Sequence, residues 1–106
     1  MAKYFFQGSY VGEGPKGLLK EGGSKRRDTV ANLITGMGGT LESFYYAFGE
    51  DDVVGVIAMP DNVSAAALSL MVNASGAVTV KTTVLLTPEE IDEATKKVVD
   101  FRAPGQ

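Results

Sequence analysis

The chain has 106 residues, 44% of them hydrophobic and 22% charged, with ten basic and thirteen acidic side chains giving a net charge of −3. That length and balance fit one compact domain over residues 1–106 and argue against disorder. The net acidity disfavours nucleic acid as a partner, and the absence of Cys and His removes disulfides, thiolate nucleophiles, Cys-ligated metals and the usual base near neutral pH.

No secretory leader pattern and no long apolar run stands in the sequence, so the expectation is a soluble, cytoplasmic protein with no membrane partner. Without His or Cys, neither a metal nor any other cofactor is expected. Chemistry would fall to Asp, Glu, Lys, Arg or Tyr, or to a substrate that reacts by itself.

Residues 3–10 read as a first strand, with Tyr4, Phe6, Gly8 and Tyr10 on one face and Phe5, Gln7 and Ser9 on the other. Gly12, Gly14, Pro15 and Gly17 predict a loop with one helical turn at Leu18-Leu19-Lys20, ended by Gly22-Gly23. The letters match G-x-G-x-x-G. They span Pro15 and lead into a Gly-ended turn instead of a dinucleotide-binding helix, so the match carries no weight.

Ser24 predicts the N-cap of a helix running to about Met37, with Val30, Leu33, Ile34 and Met37 on one stripe and Gly38-Gly39 as its stop. Its first turn holds Lys25, Arg26 and Arg27. That is the wrong charge for a helix N-terminus and implies anionic neighbours from elsewhere.

A second strand is expected over 40–48. Strict alternation puts Leu41, Ser43, Tyr45 and Ala47 on one face and Glu42, Phe44, Tyr46 and Phe48 on the other. The third, 52–58, is almost continuously apolar, as suits a central strand. A tip of Gly49, Glu50, Asp51 and Asp52 joins the two as a hairpin.

Asp61 predicts the N-cap of an Ala-rich helix to about Asn73. A fourth strand at 77–85 alternates Val78, Val80, Thr82 and Val84 against Thr79, Lys81, Thr83 and Leu85. Thr87-Pro88-Glu89-Glu90 then opens a last helix, to about Val99, with a capping box and Pro at its first position.

The order β-α-β-β-α-β plus a helix is the split βαβ, ferredoxin-like pattern. It is an α+β fold with antiparallel sheet order 4-1-3-2 and helices on one face. The opposite face would carry Phe5, Gln7, Glu42, Phe44, Tyr46, Thr79, Lys81 and Thr83, too apolar a patch for open water. Either a second copy packs its sheet there or the last helix folds back over it; self-association, as a homodimer or larger homo-oligomer, is the favoured expectation. Glu42, Gln7, Tyr46 and Lys81 would then satisfy one another across the strands or line a cavity between the sheets.

In this topology the basic helix start and the acidic hairpin tip share one end of the molecule. Arg26 or Arg27 is therefore expected to pair with a tip acid. The sharper alternative is a small anionic or aromatic ligand held by Lys20 and Arg27 with Tyr10 alongside. Tyr10, Lys20, Arg27, Tyr46, Asp52 and Lys81 are the candidate ligand-binding residues, and no catalytic set stands out.

Gly8-Ser9-Tyr10, the stretch Gly17-Leu18-Leu19-Lys20-Glu21-Gly22-Gly23, Arg27, Gly38-Gly39-Thr40-Leu41, Phe48-Gly49-Glu50-Asp51-Asp52-Val53 and Pro60-Asp61 together resemble the GYD family. These are small bacterial proteins in the dimeric α+β barrel group. The chain departs from the naming motif: after Gly49 and the spacer Glu50, Asp51 stands where the family has Tyr, and Asp52 keeps the acid. The resemblance implies the fold and self-association but no single activity. The wider group holds cofactor-free monooxygenases, haem-degrading enzymes, isomerases and ligand-binding regulatory domains. The lack of His disfavours the haem branch.

Two functional readings remain at this point. The first is a homo-oligomeric ligand-binding or structural module. The alternative is a cofactor-independent enzyme, of monooxygenase or isomerase type, using a cavity between the sheets. In that case Asp52 or Glu42 would be its base, and Tyr46 or Arg27 would steady an anion.

Overall fold

The computed structural model describes residues 1–106. Four strands form one antiparallel sheet: β1 (Ala2–Tyr10), β2 (Thr40–Tyr46), β3 (Val53–Met59) and β4 (Val78–Leu85), in the order β2-β3-β1-β4. Four helices accompany them: α1 (Gly14–Glu21), α2 (Gly23–Gly36), α3 (Asn62–Ala74) and α4 (Pro88–Thr95). This α+β arrangement has the sheet order expected of the ferredoxin-like pattern.

Tyr4, Ile34, Ile57, Met59 and Ala65 make the buried core between the sheet and the helices, with Phe6, Val30, Met37, Leu41 and Leu68 packed around them. Tyr4 anchors it from the edge: its ring is buried and its hydroxyl donates to Asn62 Oδ1 at the start of α3. Asp61 caps that helix by accepting the Ser64 N–H at 2.7 Å.

The first departure from expectation lies between β1 and α2. Instead of a loop with one turn there is a two-turn helix, α1, with Pro15 near its start, where a fixed φ and a missing N–H cost nothing. Gly22, at φ 83°, ends α1 and also precedes α2, so α2 begins at Gly23 with no side-chain cap, and Ser24 is not its N-cap.

The second departure is in β2. Leu41 pairs with Ile57, and Ser43 pairs with Val56, leaving Glu42 as the extra residue of a β-bulge. One inserted residue reverses the faces of everything beyond it. Phe44 and Tyr46, expected on the open face, therefore lie on the helix side: Phe44 sits opposite Gly55 with its ring 6.1 Å from Phe6 and 5.3 Å from Tyr46. Tyr45 takes the open face instead and is 67% exposed.

Gly55 makes room for this packing, because a Cβ there would run into the Ser43 carbonyl and come within 2.6 Å of the Phe6 ring.

The open face holds Phe5, Gln7, Tyr45, Val54, Val56, Lys81 and Thr83, by register with the neighbouring strands. The last helix does not cover it. α4 has the expected capping box, Thr87 accepting from the Glu90 N–H and Glu90 accepting from the Thr87 N–H, yet it ends at Thr95 and buries no residue. Beyond it Val98, Val99 and Phe101 are all exposed. The radius of gyration, 17.0 Å, exceeds the ~13 Å of a compact chain of this length, as an extended C-terminal segment requires.

Candidate functional site

β1 and β2 run in the same direction, which gathers the end of β1, the junction of α1 and α2 and the hairpin tip at one end of the molecule. A groove of about 430 Å³ lies there. Pro15, Leu18 and Leu19 of α1 form one wall, Ala47, Phe48 and Asp52 of the hairpin the other, and Tyr10, Gly23 and Tyr46 complete the lining. Its apolar side chains are open to solvent: Leu19 is 87% exposed and Phe48 fully so.

Tyr46 and Asp52 each have a structural reason for their place in this groove. The Tyr46 hydroxyl donates to the Gly23 carbonyl at 3.1 Å, and the ring passes so close that a Cβ on residue 23 would lie 2.9 Å from it. Glycine is therefore needed where α2 starts. Burial first, and then the neighbouring Tyr10 phenol, push the Tyr46 pKa up to about 12, against a smaller opposing pull from Arg26 and Arg27. The ring is a neutral hydrogen-bonding group throughout the physiological range.

Asp52 is committed to the backbone. Its Oδ2 accepts the Tyr10 N–H at 3.0 Å, its own N–H donates to the Gly8 carbonyl at 2.8 Å, and its carbonyl accepts from the Ala47 N–H. These bonds tie the hairpin to the end of β1, and the second carboxylate oxygen, Oδ1, has no hydrogen-bond partner.

Of the six candidate residues, Tyr10, Tyr46 and Asp52 come together in the groove. Lys81 does not: it lies on the open face, where its Nζ is 3.6 Å from Asp51. Asp51 also accepts from Gln7 Nε2 and Ser9 Oγ, both at 3.3 Å, and its side chain is only 13% exposed. Arg27 pairs with its neighbour Asp28 at 3.1 Å, and Lys20 lies on the exposed end of α1 without an ion pair.

The expected pairing of the basic helix start with the hairpin acids is thus absent. Asp51 and Lys81 lie across the sheet from α2, and Asp52 is held by the Tyr10 backbone. Glu42, Gln7 and Lys81 are satisfied on the open face, Glu42 by Lys3 Nζ at 2.9 Å, while Tyr46 has left that face altogether.

Leu18, Leu19 and Phe48 were not anticipated as site residues. The signal was present in Pro15 as a helix start and in the Leu pair on a short helix too small to bury them. No three acidic side chains cluster closely enough to hold a metal ion.

No curated protein and no solved structure shows significant similarity to the chain. The family model described as GYD domain matches residues 4–95, which takes in all four helices and every strand but the first two residues of β1. The chain therefore belongs to the GYD domain family.

Proposed function

We propose that the protein is a homo-oligomeric ligand-binding module whose groove at the α1–hairpin end receives a small aromatic or anionic molecule. The observation that carries this reading is the groove itself, in which the exposed Leu19 and Phe48 and the half-buried Leu18 meet the Tyr10 and Tyr46 rings. Apolar walls with few, fixed polar groups are the ordinary make-up of a small-molecule site.

Binding is favoured over catalysis by the state of the carboxylates. Glu42 is paired with Lys3, Asp51 with Lys81, and Asp52 is bonded to the Tyr10 N–H. A general base needs a free lone pair facing the substrate; Glu42 and Asp51 lie on the open sheet face away from the groove, and Asp52, which lines it, spends one carboxylate oxygen on the Tyr10 N–H.

Self-association is supported by the uncovered sheet face. Phe5, Tyr45, Val54 and Val56 share that face, and α4 leaves it open. Only ten of the 106 residues are buried, few for a domain of this size, and a second copy against the sheet would supply the missing burial.

A thermal-shift titration with salicylate and phenyl phosphate, controlled for ionic strength, tests the ligand reading. The expected result is a saturable rise in melting temperature that Leu19→Glu abolishes; no rise with either compound sinks it. Light scattering at micromolar concentration tests the assembly, and a monomeric mass would overturn that part.

A further inference from the structure

A second cavity lies deeper, between the helix-facing side of the sheet and helices α2 and α3. Its volume is about 100 Å³, and thirteen of its seventeen lining residues are hydrophobic, among them Val30, Leu68, Val72 and Val78. It holds one charged side chain, Arg26, and shares Tyr10 with the outer groove.

Arg26 is the unusual member. It is half-buried, and its guanidinium has neither a carboxylate partner nor any hydrogen bond, whereas Lys3, Lys16, Arg27 and Lys81 each have an acidic neighbour. A cation partly withdrawn from water beside an apolar wall is costly unless an anion meets it. Guanidinium is also the side chain whose geometry best matches a carboxylate, through two parallel N–H···O bonds.

The cavity dimensions limit what could accompany that anion. An apolar cavity of about 150 Å³ in another protein takes up benzene, so about 100 Å³ sets a single ring or a chain of about six carbons as the upper limit. Shape and charge then define one chemical class.

We infer that this cavity binds a small apolar carboxylate, with its ring or short chain among Val30, Leu68, Val72 and Val78 and its carboxylate on Arg26. The inference rests on the ligand-binding reading above and goes further, in naming the class of ligand and a seat deeper than the groove. Tyr10 lines both spaces. Ser69 and Thr82 are the remaining polar side chains of the lining and lie on α3 and β4.

Methyl-resolved NMR with benzoate and hexanoate tests the inference, with toluene as the uncharged comparison. Saturable shifts are expected at the Val30, Leu68, Val72 and Val78 methyls. Arg26→Gln should weaken benzoate and hexanoate at least tenfold while leaving toluene unchanged, and Arg26→Lys should recover part of the loss.

Shifts confined to Leu18 and Leu19 would overturn the deep seat while leaving the groove reading intact. Cavity shifts without groove shifts would uphold the inference against the groove. Equal affinity of the Arg26→Gln variant and the native chain for the carboxylates, or no shift at either place, overturns the inference. So does a carboxylate of a second copy on Arg26, seen as loss of self-association in the Arg26→Gln variant.

Discussion

Asp52 grips the end of β1 at two points: its side-chain Oδ2 takes the Tyr10 N–H at 3.0 Å, while its own N–H donates to the carbonyl of Gly8, two residues earlier on the same strand. The last turn of the hairpin is thereby fixed to the end of β1, and the groove walls inherit their spacing from that bond. Asp52→Ala should cost about 1.5–3 kcal/mol, the usual range for a hydrogen bond to a charged group. Asp52→Asn, which keeps an acceptor, should cost less. Urea denaturation of both variants checks the order, and equal stability of the Ala variant and the native chain would deny the bond its role.

Asp51 and Lys81 make a second, unequal pair. The carboxylate is nearly enclosed and has three partners, whereas the ammonium is 63% exposed. Removing the acid leaves Gln7 and Ser9 without their acceptor, so Asp51→Ala should destabilise by about 1–3 kcal/mol. Lys81→Met should change stability by no more than about 1 kcal/mol, as exposed ion pairs do. A double-mutant cycle separates the two contributions.

Gly55→Ala should be among the most harmful single substitutions, at about 2–3 kcal/mol or more, because the added methyl meets the Ser43 carbonyl and the Phe6 ring together. Thermal unfolding measures it. Gly17→Ala is the matched control: nothing lies within 4 Å of the position a Cβ would take there, and the residue is helical.

Tyr46 gives a pH prediction of definite sign. Its folded pKa is pushed up to about 12, above the ordinary phenol value of 10.0. Its contribution to stability is therefore complete below pH 10, and it is lost as pH rises from there through about 12, since the unfolded chain gives up the proton first. Absorbance titration of tyrosinate should show one late-ionising phenol that Tyr46→Phe removes. Ionisation of all the tyrosines together near pH 10 would contradict it.

The capping box of α4 should behave differently from a cap in a packed helix. Thr87→Ala is expected to cost about 1 kcal/mol of local helix stability. Because α4 buries no residue, this loss should appear as faster hydrogen exchange across 88–95 and leave the global unfolding midpoint in place.

How much of this could be read from the chain depends on the element. β1 and β4 alternate without interruption, and both sets of faces follow from periodicity alone. β2 could not be read that way, because the bulge at Glu42 adds a residue that no alternation rule anticipates. The trace it leaves in the sequence is Gly55, a glycine among the branched residues Val53, Val54, Val56 and Ile57, which marks a close approach by another group. α1 was obscured because Gly14, Pro15 and Gly17 look like loop residues until Pro15 is taken as a helix start.

The candidate site was legible to the extent that it depends on topology. Tyr10, Tyr46 and Asp52 meet because parallel strands end together. Lys20 and Arg27 were grouped with them on charge, and charge does not say which partner a side chain finds; Lys81 was put on the open face by alternation, and it lies there, opposite Gln7. Arg26 was seen only as one of a basic trio; what distinguishes it, an unpaired guanidinium against an apolar cavity, exists only once α2 is set against the sheet.

The two outer strands of the sheet differ in how they would greet a foreign strand. β2 carries the bulge, and such a kink spoils the regular run of donors and acceptors that edge-to-edge addition needs. β4 is regular over eight residues with no strand beyond it, and on its outward edge the Asn73 side chain takes the N–H and the carbonyl of Val80. Lys81 stands in the middle of it as the one charged residue. Growth of aggregates by strand addition should therefore begin at β4, and Lys81 is the gatekeeper whose removal would hasten it.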